Sequence, residues 1–139
     1  MKLYQRLEKL AYWLRFRATY HEMKYYLKEV MKGKRDNYFK EITRYDRAIG
    51  KTCSLAELSV KYNIPIVVST HVWKNDIDRN TVLFLPRHLR KRKPIVLVAN
   101  ETLYGYHSDI LLVDECLSAE QIELVKKSCN HIVGYVNVY

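Results

Sequence analysis

The sequence predicts an α/β domain with a mostly parallel sheet, preceded by a basic helical segment, and three observations lead there. From Met1 to Lys32 there is neither Gly nor Pro, which is the mark of continuous helix. Beyond Gly33 short β-branched runs ending in polar residues alternate with stretches of helical spacing, the appearance of a β/α layered domain. The run Ile110-Leu111-Leu112-Val113 is apolar at every position, so it reads as a strand buried on both faces, as in a parallel sheet.

Taking the elements in order, Leu3, Leu7, Leu10 and Leu14 recur at spacings of one helical face, and Tyr4, Ala11 and Ala18 widen that stripe. One long helix or two stacked ones follow, ended by Gly33. About 30 residues at about 1.5 Å each exceed the width of such a domain, so part of the segment is expected to project or bend and to be open to a partner. The polar stretch Gly33 to Asn37 is the linker candidate, which divides the chain into a helical segment, 1–35, and an α/β domain, 36–139. Candidate strands are Phe39 to Thr43, Ile64 to Ser69, Thr81 to Leu85, Pro94 to Ala99, Ile110 to Val113 and His131 to Val136. Thr52 to Tyr62 and Ser118 to Ser128 have helical spacing, and Ser118 with Gln121 three residues on forms a capping box.

Length and composition bound the function. With 139 residues and 16.6 kDa the chain makes about one domain, and its 48% hydrophobic and 28% charged residues exclude disorder or low complexity. Twenty-four Lys and Arg against 15 Asp and Glu leave a formal charge of +9, which excludes an acidic solvating protein and favours an anionic partner such as nucleic acid or nucleotide. No apolar run reaches the roughly 18 residues of a membrane span, and the charged N-terminus is unlike a signal peptide, so a cytoplasmic setting without membrane contact is expected. Cys53, Cys116 and Cys129 are widely spaced and read as reduced core thiols. The five histidines do not cluster at metal-ligand spacing, and no Ser, His and Asp pattern suggests a hydrolase elbow.

Chemistry is concentrated in two places. Arg47-Ala48-Ile49-Gly50-Lys51-Thr52 lies between a predicted strand and a predicted helix, the context of a loop that cradles phosphate. Such a loop needs a Gly for close backbone approach, a Lys for the β and γ oxygens, and a hydroxyl for Mg²⁺ at a helix start whose N–H groups favour anions. Gly50, Lys51 and Thr52 supply these, although Tyr45 stands where the usual GxxxxGK[ST] pattern has its first Gly. About 60 residues on, the strand 110–113 ends in Asp114 and Glu115. In a parallel sheet the C-terminal strand tips form the ligand crevice, so Asp114 would face the nucleotide's metal and Glu115 would orient or deprotonate a water.

With these residues the chain from about Phe39 to Val138 resembles P-loop NTPases of the additional-strand type, the group of helicases, RecA-like ATPases and phage terminase large subunits. Terminase-like members have a variant phosphate loop with Arg at the position of Arg47 and no first Gly, and DRAIGKT is similar to it. The resemblance implies a three-layer P-loop fold with ATP and Mg²⁺ as ligands. It implies nucleotide contact along Arg47, Ala48, Ile49, Gly50, Lys51, Thr52 and Cys53, with Lys51 and Glu115 catalytic, and Mg²⁺ held by Thr52 and, through water, Asp114. A polar sensor follows on the next strand tip, where Asn137 stands; Asn100 and Thr102 end another strand and are weaker candidates. VDEC is similar to the acidic motif of superfamily-two helicases, but Leu117 replaces the His of that pattern, and the chain is not read as a helicase. Motor ATPases of this kind normally continue with further strands and an arginine finger, and efficient turnover here is expected to need a finger from a second subunit or a partner protein.

Arg87, Arg90, Lys91, Arg92 and Lys93, with His88, precede Pro94 in a basic loop suited to DNA contact or to donating a finger in trans; a solvated loop is the alternative. Ten further Lys and Arg between Lys2 and Arg35 interleave with Tyr12, Trp13, Phe16, Tyr20, Tyr25 and Tyr26, a mixture suited to phosphate contact and base stacking or to packing. The expectation is a small ATPase acting on or alongside DNA, possible phage origin included, with a non-catalytic, nucleotide-dependent binding module as the alternative.

Overall fold

The computed structural model describes residues 1–43, 50–79 and 85–137. The loop residues Tyr45, Arg47, Ala48 and Ile49, and the candidate strand Thr81 to Leu85 except its last residue, lie outside them. Leu85 is buried and belongs to no strand.

The Gly- and Pro-free N-terminus forms one helix, α1 (Leu3–Met31), of 29 residues. Strand β1 (Tyr38–Ile42) follows, then α2 (Lys51–Tyr62), β2 (Ile66–Val68), α3 (His71–Arg79), β3 (Val96–Val98), β4 (Ser108–Val113), α4 (Ala119–Lys127) and β5 (Cys129–Asn137). The five strands form one sheet in the order β1-β5-β4-β2-β3, and every pairing is parallel. The Ser118–Gln121 capping box is present at α4, with the Ser118 hydroxyl accepting from the Gln121 N–H. Sequence reading missed α3 because Ile77 is its only buried residue, and a single buried position leaves no period to read.

Alternation along the strands makes two cores. Ile66, Val68, Leu112, Val133 and Tyr135 face the side covered by Tyr20, Met23 and Leu27 of α1, Leu55 and Leu58 of α2 and Ile77 of α3. Val67, Leu111, Val113 and Ile132 face the other side, where Val125 of α4 packs. Helix, sheet and helix therefore stack as three layers.

α1 has two apolar faces. Thr19, Tyr20, Met23, Leu27 and Val30 are buried against the domain, whereas Leu3, Leu7, Leu10 and Leu14 are 52–72% exposed. At about 100° per residue the leucine stripe lies roughly 160° around the axis from the buried face, so the projecting half carries it outward. The Arg17–Glu57 ion pair, 3.1 Å, ties the middle of α1 to α2, and Arg17 also lies over the Tyr20 ring at 4.5 Å.

Candidate functional site

Because all strands run the same way, their C-terminal ends share one edge of the sheet. At that edge α2 begins at Lys51 and β4 hands over to Asp114. Gly50 is the N-cap of α2 in the left-handed region, φ +78°, a conformation that glycine adopts at no steric cost. A glycine cannot cap with a side chain. The first helical N–H with an intrahelical acceptor is Ser54, donating to Gly50 at 2.9 Å, and the N–H groups of Thr52 and Cys53 precede it. This helix start lacks a side-chain cap and carries the positive end of the macrodipole.

The Thr52 hydroxyl donates to Asp114 Oδ2 at 3.0 Å, and the Glu115 N–H donates to Asp114 Oδ1 at 2.8 Å. Lys51 is buried and its Nζ stands 3.8 Å from Glu115 Oε2. Burial pushes the Asp114 carboxyl above its ordinary range; the two hydrogen bonds and the Lys51 charge oppose that rise, while Asp76 of α3 adds to it. Burial, with Asp114 as a further cause, likewise pushes the thiols of Cys53 and Cys116 up to about 11, so both are protonated at neutral pH.

A cavity of about 310 Å³ opens over this group, lined by Gly50, Lys51, Thr52, Cys53 and Glu115, with Tyr12 and Phe16 of α1 as its far wall. Phe16 lies so close to Gly50 that a Cβ there would overlap its ring. Sequence reading placed Tyr12 and Phe16 on the N-terminal segment, because nothing in a helical repeat tells which loop the helix will cross.

The structure thus brings together Gly50, Lys51, Thr52, Cys53, Asp114 and Glu115. Asn137 stands at the same edge, exposed and aligned with Ile42, at the end of a strand lying between β1 and β4. Asn100 and Thr102 instead satisfy each other: Asn100 Oδ1 accepts from the Thr102 N–H at 2.9 Å and from its hydroxyl at 2.7 Å, and they follow β3 at the far end of the sheet. Arg87, Arg90, Lys91, Arg92 and Lys93 are exposed, and the stretch leads into the N-terminal end of β3, away from the edge that holds Asp114. Of the N-terminal aromatics, Tyr20 is buried and Tyr26 stacks on Tyr38 at 3.8 Å, so packing accounts for both; Tyr12, Trp13 and Tyr25 are exposed. Tyr135, which sequence reading did not single out, is 1% exposed near the two acids, and its hydroxyl has no hydrogen-bond partner among the described residues.

Chemically the site offers a buried cation, helix N–H groups, a hydroxyl and two carboxylates. Among the described residues no three His, Cys, Asp or Glu side chains converge as a metal cage. Thr52 with Asp114 instead suits a hydrated hard cation such as Mg²⁺, which keeps most of its waters and takes few protein oxygens. No helix among the described residues is long and apolar enough to cross a membrane. Comparison with protein-family models, with curated proteins and with solved structures gave no match.

Proposed function

We propose that this chain is a P-loop nucleoside triphosphatase that binds Mg-ATP at the start of α2 and hydrolyses it, acting on or alongside DNA. The observation that carries the reading is the hydrogen bond from Thr52 to Asp114, which joins the helix following the glycine loop to the tip of the acidic strand. The order β1-β5-β4, with a strand between the one that feeds the loop and the one that ends in acids, supports the additional-strand variety. In this reading Lys51 and the α2 N–H groups hold the phosphates, and Thr52 and Asp114 hold the hydrated Mg²⁺, which supplies charge neutralisation when bound. Glu115 leaves its contact with Lys51 to orient the attacking water, and Asn137 senses the γ-phosphate. A finger arginine is expected from a second subunit or a partner protein, and the exposed basic stretch 87–93 is the expected DNA contact.

The test is Mg-ATP binding and phosphate release by wild type, Lys51→Ala and Glu115→Gln, with and without single- and double-stranded DNA. Binding lost in Lys51→Ala, and turnover lost with binding kept in Glu115→Gln, are the expected results. Tight binding with no turnover under any condition would leave a non-catalytic, nucleotide-dependent module. No binding by wild type would overturn the reading.

A further inference from the structure

A second cavity adjoins the candidate phosphate site. It measures about 570 Å³ and is lined by Tyr12, Trp13, Phe16, Arg17, Leu85 and Pro86. Tyr12 and Phe16 belong to both cavities, so these two rings form a wall shared between them. The lining is almost wholly aromatic and aliphatic, and the volume lies within the range of small-ligand pockets. Tyr12 and Trp13 are 55% and 56% exposed, so two adjacent aromatic rings of the lining are open to a ligand.

We propose that this cavity is the base subsite of the nucleotide whose phosphates lie on Lys51 and Thr52, and that it takes a purine. The inference rests on the phosphate-site reading above and adds the part of the ligand that reading leaves unplaced. Continuity selects the occupant: a molecule anchored at the start of α2 and extending over Phe16 meets the faces of Tyr12 and Trp13. Among the described residues of the lining Arg17 is the lone cation and is held by Glu57, so these residues offer no further cation for the phosphates of a nucleic-acid strand. Among the described residues no array of buried hydrogen-bonding groups lines it, so selection works through stacking area: ATP and GTP bind alike, and both bind more tightly than CTP and UTP. The close approach of Phe16 to Gly50 gives the loop glycine a second task, since only a residue without Cβ lets α1 come down far enough to form the shared wall.

The test compares Mg-ATP, Mg-tripolyphosphate and a single-stranded dT oligonucleotide as ligands of wild type, Tyr12→Ala and Trp13→Ala. Both positions are more than half exposed, so folding is preserved, and circular dichroism checks it. In a Trp73→Phe background Trp13 emission reports the subsite directly. The expected result is a roughly 10- to 100-fold loss of ATP affinity in either variant with tripolyphosphate affinity unchanged, and quenching of Trp13 by ATP but not by tripolyphosphate. Unchanged ATP affinity, or an equal loss for ATP and tripolyphosphate, overturns the base subsite while leaving the phosphate site standing. Loss of oligonucleotide binding alone assigns the cavity to nucleic acid and overturns it too. Failure of wild type to bind either ATP or tripolyphosphate is the separate outcome in which the phosphate-site reading falls and takes the base subsite with it.

Discussion

Thr52 Oγ1 lies 3.0 Å from Asp114 Oδ2, a bond between the first turn of α2 and the tip of β4 across 62 residues of chain. The hydroxyl comes from the helix start and the carboxylate from the central region of the sheet, so the bond fixes the distance between loop and acid. It also shows why Asp114 tolerates full burial: both its oxygens accept a hydrogen bond.

That burial has a cost which can be measured. The folded carboxyl has a raised pKa, so the unfolded chain releases its proton first as pH rises, and stability from this group falls as pH climbs above 3.8 through the folded value. Ionising the buried Asp114 therefore costs stability that the protonated form does not. Asp114→Asn keeps an oxygen for Thr52 but turns its NH₂ toward the Glu115 N–H, so it loses one of the two bonds along with the charge; it is expected to remove the fall of the thermal midpoint over that pH window and to abolish Mg²⁺-dependent nucleotide binding. A midpoint of the Asn variant that falls with pH just as the wild type's does would show that Asp114 is not the group responsible.

Gly50 combines a left-handed backbone with the Phe16 ring against its Cα. Gly50→Ala is expected to cost about 1–3 kcal/mol, partly backbone strain and partly overlap. Phe16→Ala in the same chain relieves the overlap and not the strain, so the double variant should be more stable than the two separate losses add up to. Strict additivity in urea unfolding would show that the ring and the glycine are not in contact.

Gly134 on β5 pairs with Val113 on β4, and a Cβ at 134 would overlap the Val113 backbone. Backbone cannot swing aside as a side chain does. Gly134→Ala is expected to cost about 2–4 kcal/mol and to shift Asp114, which follows Val113, away from Thr52. The checks are chemical denaturation together with the ATP affinity of the folded fraction, which should fall as well. A loss of stability with full affinity would show that β4 keeps its place.

Cys53 and Cys116 flank the site, and with pKa values near 11 against an ordinary 9.0 each holds about 100-fold less thiolate than an exposed cysteine below pH 9. Iodoacetamide at pH 8 should therefore alkylate both slowly in the folded protein and at normal rates in guanidinium. Rapid folded-state labelling of Cys53 would mean that the start of α2 opens to solvent.

Much of this was legible in the chain. The strand at 110–113, the capping box at Ser118 and the helical character before Gly33 are local matters, written in runs, spacings and caps; one long helix or two stacked ones were open there, and the structure has one. The grouping of Gly50, Lys51 and Thr52 with Asp114 and Glu115 followed from chemistry: a loop opening a helix and an apolar strand ending in acids share one edge whenever the sheet is parallel. Asn100 and Thr102 bond to each other, and in the sequence a polar residue at a strand end looks the same whether it serves a ligand or caps its own turn. Helix α3 escaped because one buried isoleucine makes no pattern.

The sequence by itself determined most of the helix and strand segments, that the sheet is buried on both faces, and which residues carry the charged and hydroxyl groups found where α2 begins and β4 ends. It did so because backbone preference and burial period act over a few neighbouring residues. Only the tertiary structure decided that β5 stands between β1 and β4, that the leucine stripe of α1 faces away from the domain, and that Phe16 closes on Gly50. Those relations join residues tens of positions apart, and they are set by how whole faces pack rather than by any local preference.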